Sequence, residues 1–173
     1  AGTIGRQEEK DKMNKVVKFG GSSLASAKQF KKVKDIIMAD KSRRYVIPSA
    51  PGKRTTNDEK VTDLLYACYS AASEGRSYKK IFDAITARYE QIITGLDLNI
   101  NLDFEFKTIE ENFLAKKGRD YAASRGEYLN GIIMAAYLGY EFIDAAEVIF
   151  FDDKGNFEAD LTNQELAERL EHV

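Results

Sequence analysis

The stretch that most restricts what this chain can fold into is Lys15 to Phe19, where Val16, Val17 and Phe19 run straight into Gly20-Gly21. An apolar run closed by glycines reads as a short buried strand ending in a tight turn. Ser26 followed by Gln29 has the form of a capping box, and Phe30, Val33, Ile36 and Ile37 come after it at helical spacing. Tyr45 to Ile47 give a second strand, closed by Pro48-Ser49-Ala50-Pro51-Gly52. Parallel strands need a crossover between them, so the order strand, glycine turn, helix, strand favours a parallel sheet with helices packed on it.

Helical patterning dominates the remainder. A polar stretch, Lys53 to Lys60, reads as a mobile loop. Val61, Leu64, Leu65 and Cys68 then form one apolar stripe. Ile81, Phe82, Ile85, Tyr89, Ile92 and Ile93 form a second, and Phe106, Ile109 and Phe113 a third. The fourth, Leu129, Ile132, Ile133 and Ala136, ends near Gly139, as helices often do at glycine. Phe142-Ile143 and Val148 to Phe151 read as further strands, with a hairpin turn around Gly155. Thr162 with Glu165 has the form of another capping box, opening a helix through Leu166 and Leu170. Three or four strands are few for so many helical stripes. The expectation is a piece of a larger domain, whose sheet is wider than these residues supply.

Composition sets the outer limits. The 173 residues suffice for one domain with a real core. Hydrophobic residues at 43% and charged residues at 31% are ordinary for a soluble globular protein. Net charge is −2 and no basic block stands out, so nucleic acid binding has no electrostatic footprint. No apolar run approaches the about 20 residues needed to span a membrane, and no membrane partner is expected. The single cysteine, Cys68, excludes an internal disulfide and any zinc spacing, which fits a reducing cytoplasm. Ala1 to Lys12 is polar, lacks the apolar core of a signal peptide, and reads as a cloning remnant or a disordered extension.

Three segments hold residues suited to chemistry. In Lys18-Phe19-Gly20-Gly21-Ser22-Ser23, the glycines let a ligand approach the backbone, whose N–H groups can point at phosphate oxygens. The following helix adds the positive end of its dipole, and Lys18 adds a full charge. Phosphoryl transfer asks for little beyond such positioning and charge stabilisation. The lysine precedes the glycines, so this is not a Walker A loop. On the residues alone, a plain strand-turn-helix corner with a solvated lysine is the better account. Ser49, at the carboxyl end of the second strand, stands where open α/β sheets bind ligands, although on its own a rigid loop is the better account. Thr62-Asp63 reads as a helix cap or as ligand contacts. Ser124-Arg125-Gly126-Glu127 reads as a capping box before an apolar helix, or as a helix presenting Glu127 to a substrate ammonium. The residues by themselves do not choose.

Taken together and in order, these segments resemble the aspartate kinases. Val16-Val17-Lys18-Phe19-Gly20-Gly21-Ser22-Ser23-Leu24 matches the signature at the start of that family. Ser49-Ala50 with Thr62-Asp63-Leu64-Leu65 is similar to its second block. Ser124 to Leu129, Ala135 to Tyr140 and Asp144 to Ile149 resemble the third and its continuation. The likeness runs from about Asn14 to Leu170. It implies the amino acid kinase fold, an α/β three-layer sandwich with a mainly parallel sheet, of which residues 13–173 would be the N-terminal lobe. It implies ATP and Mg2+, with Mg2+ carried on the nucleotide, and L-aspartate as the small-molecule substrate. Lys18 would stabilise the transferring phosphate. Gly20, Gly21, Ser22 and Ser23 would cradle the ATP phosphates. Ser49 and Thr62 would line the aspartate site, and Glu127 would hold the aspartate ammonium. No protein metal ligand is implied. The nucleotide-binding half and the regulatory ACT domains would lie beyond these residues, so the fragment alone is expected to be inactive. The full-length protein is expected to be a cytoplasmic homo-oligomer. The loop Lys53 to Lys60 is longer and more charged than the resemblance implies. The rival readings are another carboxylate or carbamate kinase of the same fold, and a non-catalytic binding module.

Overall fold

The computed structural model describes residues 13–173; the reading of Ala1 to Lys12 lies outside them. Strand β1 (Lys15–Phe19) pairs in parallel with β2 (Arg43–Pro48), joined by helix α1 (Ala27–Met38). Val17 lies opposite Val46 and Phe19 opposite Pro48. The fold class is α/β with a parallel sheet, as expected. Side chains alternate across the sheet. Val17, Phe19 and Val46 pack on the core, whereas Val16 and Ile47 on the other face are 67% and 50% exposed. Among the described residues the helices therefore cover one face.

The core is built by α2 (Val61–Ser73), α3 (Lys79–Gly95), α4 (Asp103–Leu114) and α5 (Arg119–Leu138). The first three helical stripes point inward as expected, with Leu65, Cys68, Tyr89, Ile92 and Phe113 fully or almost fully buried. In α5 the buried face is Leu129, Ile133, Met134 and Leu138, rotated away from the expected Ala136, which is exposed. The helix does stop at Gly139, whose φ of 72° is a left-handed cap that glycine adopts without strain. No helix is long and apolar enough to cross a membrane among these residues.

Tyr89 fastens α3 to α5: its buried hydroxyl donates to the carbonyl of Gly126 at 2.9 Å. Gly126 has no space for a side chain, since a Cβ would lie 2.6 Å from the Ala50 Cβ. That contact lets α5 lie directly against the loop after β2, which positions the site described below.

Several local expectations are corrected. Phe142-Ile143 is not a strand, because no neighbouring strand pairs with it; the Phe142 ring packs edge-on against Tyr128 at 5.6 Å. Val148 to Phe151 is not a strand either. Helix α6 (Ala145–Val148) occupies its start, capped by Asp144, whose carboxylate accepts from the Ala146 N–H at 3.0 Å. Only an isolated antiparallel bridge between Phe151 and Phe157 forms there, closed by the turn expected over Asp153 to Asn156, which starts one residue earlier at Asp152. Helix α7 (Ala159–Leu170) begins a turn before Thr162. Thr162 is buried within it and accepts from the Phe150 N–H at 3.0 Å, so it caps nothing. Ser26 does precede α1, but its side chain makes no cap bond, and Gln29 donates instead to the Ser22 carbonyl.

Candidate active site

The carboxyl end of β2, the glycine turn, the start of α2 and the middle of α5 enclose an open cavity of about 440 Å³. Its lining includes Gly21, Ser22, Ser49, Thr62 and Glu127. The structure thus brings together five of the residues singled out from sequence. Gly20, Ser23 and Lys18 are not part of this lining. Ser23 sits in the 3-10 turn Gly21–Leu24, and Lys18 is exposed on β1, opposite Ile47.

Each wall has a local cause. β2 continues past its end through the Ser49 N–H, which donates to the Phe19 carbonyl at 3.0 Å. The chain then crosses the glycine turn, where the Gly52 N–H donates to the Gly21 carbonyl at 2.8 Å. Two backbones this close exclude side chains: a Cβ on Gly52 would fall 2.6 Å from the Gly21 carbonyl carbon. Helix α2 is preceded by Lys60 and makes no side-chain cap. Thr62 is therefore a first-turn residue near unpaired helix N–H groups, not the cap its sequence allowed.

Ser124 does not open a helix. α5 starts at Arg119, Ser124 lies within it, and its hydroxyl donates to the Tyr121 carbonyl at 2.8 Å. The capping-box reading is overturned, and Glu127 faces the cavity from the middle of a long helix. One Glu127 oxygen accepts from the Ala50 N–H at 3.3 Å. One turn further along α5, the buried Asn130 amide donates to the Ser49 carbonyl at 2.6 Å. Those two backbone groups belong to the same peptide unit, so α5 grips Ser49-Ala50 by both polar ends.

The loop Lys53 to Lys60 is tied down. The Arg54 guanidinium clasps both Asp58 carboxylate oxygens, at 2.7 and 2.9 Å, and its N–H group meets Gln91 at 2.9 Å. Bonds from Arg54, first from its side chain and then from its backbone, with the nearby Arg88 charge, hold the Asp58 carboxyl well below the usual carboxylate range. Lys53 and Lys60, at the two ends of the loop, also line the cavity. Asn130 and Arg88 were missed in the sequence. The available signal was position: each is a polar residue on an otherwise apolar helical stripe, Arg88 between Ile85 and Ile92, Asn130 between Gly126 and Ile133.

Residues 13–172 match the model of the amino acid kinase family. The chain belongs to the amino acid kinase family. Its relatives within that family include aspartokinase 3 of Bacillus subtilis (strain 168), 38% identical over 140 residues that cover 78% of this chain and 31% of that protein. The crystal structure of Clostridium acetobutylicum aspartate kinase superposes with a TM-score of 0.87 at 48% identity, covering 91% of this chain and 36% of that one. E. coli aspartokinase III, crystallised with aspartate and ADP, superposes with a TM-score of 0.72 at 21% identity over 90% of this chain and 37% of its own, which is a likeness of fold. The expected resemblance to aspartate kinases is borne out by these relatives. This amino acid kinase chain spans about a third of the length of each.

Proposed function

We propose that the complete protein is an aspartate kinase. It would transfer the γ-phosphate of ATP to the β-carboxylate of L-aspartate, giving 4-phospho-L-aspartate, the first step toward lysine, threonine and methionine. The observation that carries this reading is the convergence of Gly21, Ser22, Ser49, Thr62 and Glu127 on one cavity. It is supported by the aspartokinase relatives, one of which was crystallised with aspartate and ADP.

The proposed roles follow from the chemistry. The nucleophile is the substrate itself: a free aspartate side chain, with a pKa of about 3.9, is ionised at neutral pH. No protein base is needed, and the work is to hold two anions together. Gly20, Gly21 and Ser22 would give backbone N–H groups to the phosphates, while the Ser23 N–H is taken by the Gly20 carbonyl at 3.0 Å, which leaves its hydroxyl for that role. Lys18 has no carboxylate partner among the described residues, which leaves its charge for the transferring group. Among the described residues Glu127 is the one carboxylate lining the cavity, suited to the aspartate ammonium, with Ser49 and Thr62 as hydroxyl contacts. Mg2+ would arrive on the nucleotide, spreading phosphate charge. The residues described here would form the aspartate-side lobe of the kinase domain, inactive alone, in a cytoplasmic and homo-oligomeric protein.

Hydroxylamine trapping with ATP, Mg2+ and aspartate tests the reading on the complete reading frame and its Lys18→Ala variant. Aspartyl hydroxamate from the parent, reduced at least a hundredfold in the variant, is expected. No hydroxamate with aspartate, but product with glutamate or acetylglutamate, would move the protein to another kinase of the family. No product with any of them would leave a binding module.

A further inference from the structure

Arg88 is only 4% exposed, on the apolar stripe of α3, and the residues that read as a loop turn toward it. Burying a guanidinium is costly unless every donor is met. Here the donors are met almost wholly by backbone. One terminal nitrogen donates to the Glu59 carbonyl at 3.0 Å and lies 3.2 Å from the Asp58 carboxylate. The other donates to the Gly52 carbonyl at 2.7 Å and reaches the Ala25 carbonyl at 3.4 Å. These partners come from separate stretches: the end of the glycine turn, the start of the charged loop and its finish. Gly52 is also the residue whose N–H crosses to Gly21.

We propose that Arg88 is a positioning residue for the phosphate-facing wall of the cavity, and that the segment Lys53 to Lys60 is a fixed part of that wall, holding Lys53 and Lys60 toward the nucleotide phosphates. This rests on the kinase reading above. Arg88 fixes the segment at both ends: Gly52 directly precedes Lys53, and Glu59 directly precedes Lys60. Asp58 carries the hold outward, since the same carboxylate oxygen that faces Arg88 accepts from the Arg54 backbone N–H at 2.9 Å and from its Nε at 2.7 Å. The aspartate-facing wall is held independently, by Asn130 and Glu127 on Ser49-Ala50. Lysine is not equivalent to arginine here. A compact ammonium lacks the planar fork and cannot span carbonyls on opposite sides of a guanidinium.

The test uses the complete protein carrying Arg88→Lys, a second variant Asp58→Asn, and the pair Lys53→Gln with Lys60→Gln. Hydrogen exchange is read segment by segment, and KM for ATP and for aspartate are measured separately. In Arg88→Lys, amides of 52–60 should exchange at least tenfold faster while those of α5 do not change. KM for ATP should rise at least fivefold and KM for aspartate less than twofold. Asp58→Asn should shift both readouts the same way by a smaller factor, and it stands in if Arg88→Lys does not fold. The double lysine variant should raise KM for ATP with unchanged exchange. Unaltered exchange over 52–60 in both Arg88→Lys and Asp58→Asn would overturn the positioning role. So would a lowered melting temperature with both KM values intact. An unchanged KM for ATP in the double lysine variant would overturn the part given to Lys53 and Lys60. A parent protein that makes no hydroxamate would remove the kinase reading, while the exchange comparison would still decide whether Arg88 holds the segment.

Discussion

Gly52 and Gly21 touch backbone to backbone: the N–H of one donates to the carbonyl of the other at 2.8 Å, with no side chain between them. A Cβ on Gly52 would meet the Gly21 carbonyl carbon at 2.6 Å and the Ser22 nitrogen at 2.8 Å. Because the obstacle is backbone, it cannot swing away as a flexible side chain would. Gly52→Ala is expected to destabilise by about 1–3 kcal/mol, the usual cost of overpacking. It should also displace the glycine turn, so activity should fall by more than the folded fraction does. Urea titration alongside the hydroxamate assay checks both.

Glu127 and Asn130 hold the same peptide unit but differ in what they offer a ligand. Glu127→Gln keeps an oxygen for the Ala50 N–H and removes the charge. Its stability should stay within about 0.5 kcal/mol of the parent, as for most surface changes. Its KM for aspartate should rise tenfold or more. Asn130→Leu should do the reverse first: it strands the half-buried Ser49 carbonyl, at a cost of about 1 kcal/mol. Denaturation curves and aspartate titrations on the two variants separate these outcomes.

Acid should loosen the charged loop before it unfolds the core. Asp58 is held as a carboxylate by Arg54, so its folded pKa lies below the unfolded value of about 3.9. The contribution is complete above the unfolded value and is lost as pH falls toward the folded one. Asp40 behaves alike, through the Lys15 ammonium first and then Ser42. Exchange over 53–60 should therefore accelerate below about pH 4 relative to α2, and Asp58→Asn should show that faster exchange at every pH.

Cys68 should be inert while the protein is folded. It is fully buried, and burial, with a smaller effect from the Glu110 charge, pushes its thiol up to about 12. A thiol so placed has almost no thiolate at pH 8. A disulfide reagent should label it only at the rate of unfolding, with full labelling in denaturant. Rapid labelling of native protein would contradict the packing of α2.

What the sequence made legible depends on how local the cause is. The β1 corner could be read because Gly20-Gly21 after an apolar run leaves few other shapes. The stripes of α2, α3 and α4 could be read because periodic burial repeats over several turns. Short signals fared worse. Ser124 with Glu127 fits a capping box yet lies inside α5, since two residues at that spacing also occur within any helix. Phe142-Ile143 has strand composition, but a strand exists only where another is beside it. The site divided in the same way. The cavity residues could be named through resemblance, whereas Arg88 and Asn130 act on carbonyls far away in the chain, and no local pattern records which carbonyls those will be.

The grip of α5 on Ser49-Ala50 lies only two residues from the point where Gly52 crosses the glycine turn. Pro51, between them, removes one of the few remaining torsional freedoms. The stretch from Glu127 to Gly21 is therefore a short, stiff linkage rather than two contacts that happen to be near. The span between the two halves of the cavity is thus set by a few covalent bonds, and it would keep its length whichever half is occupied.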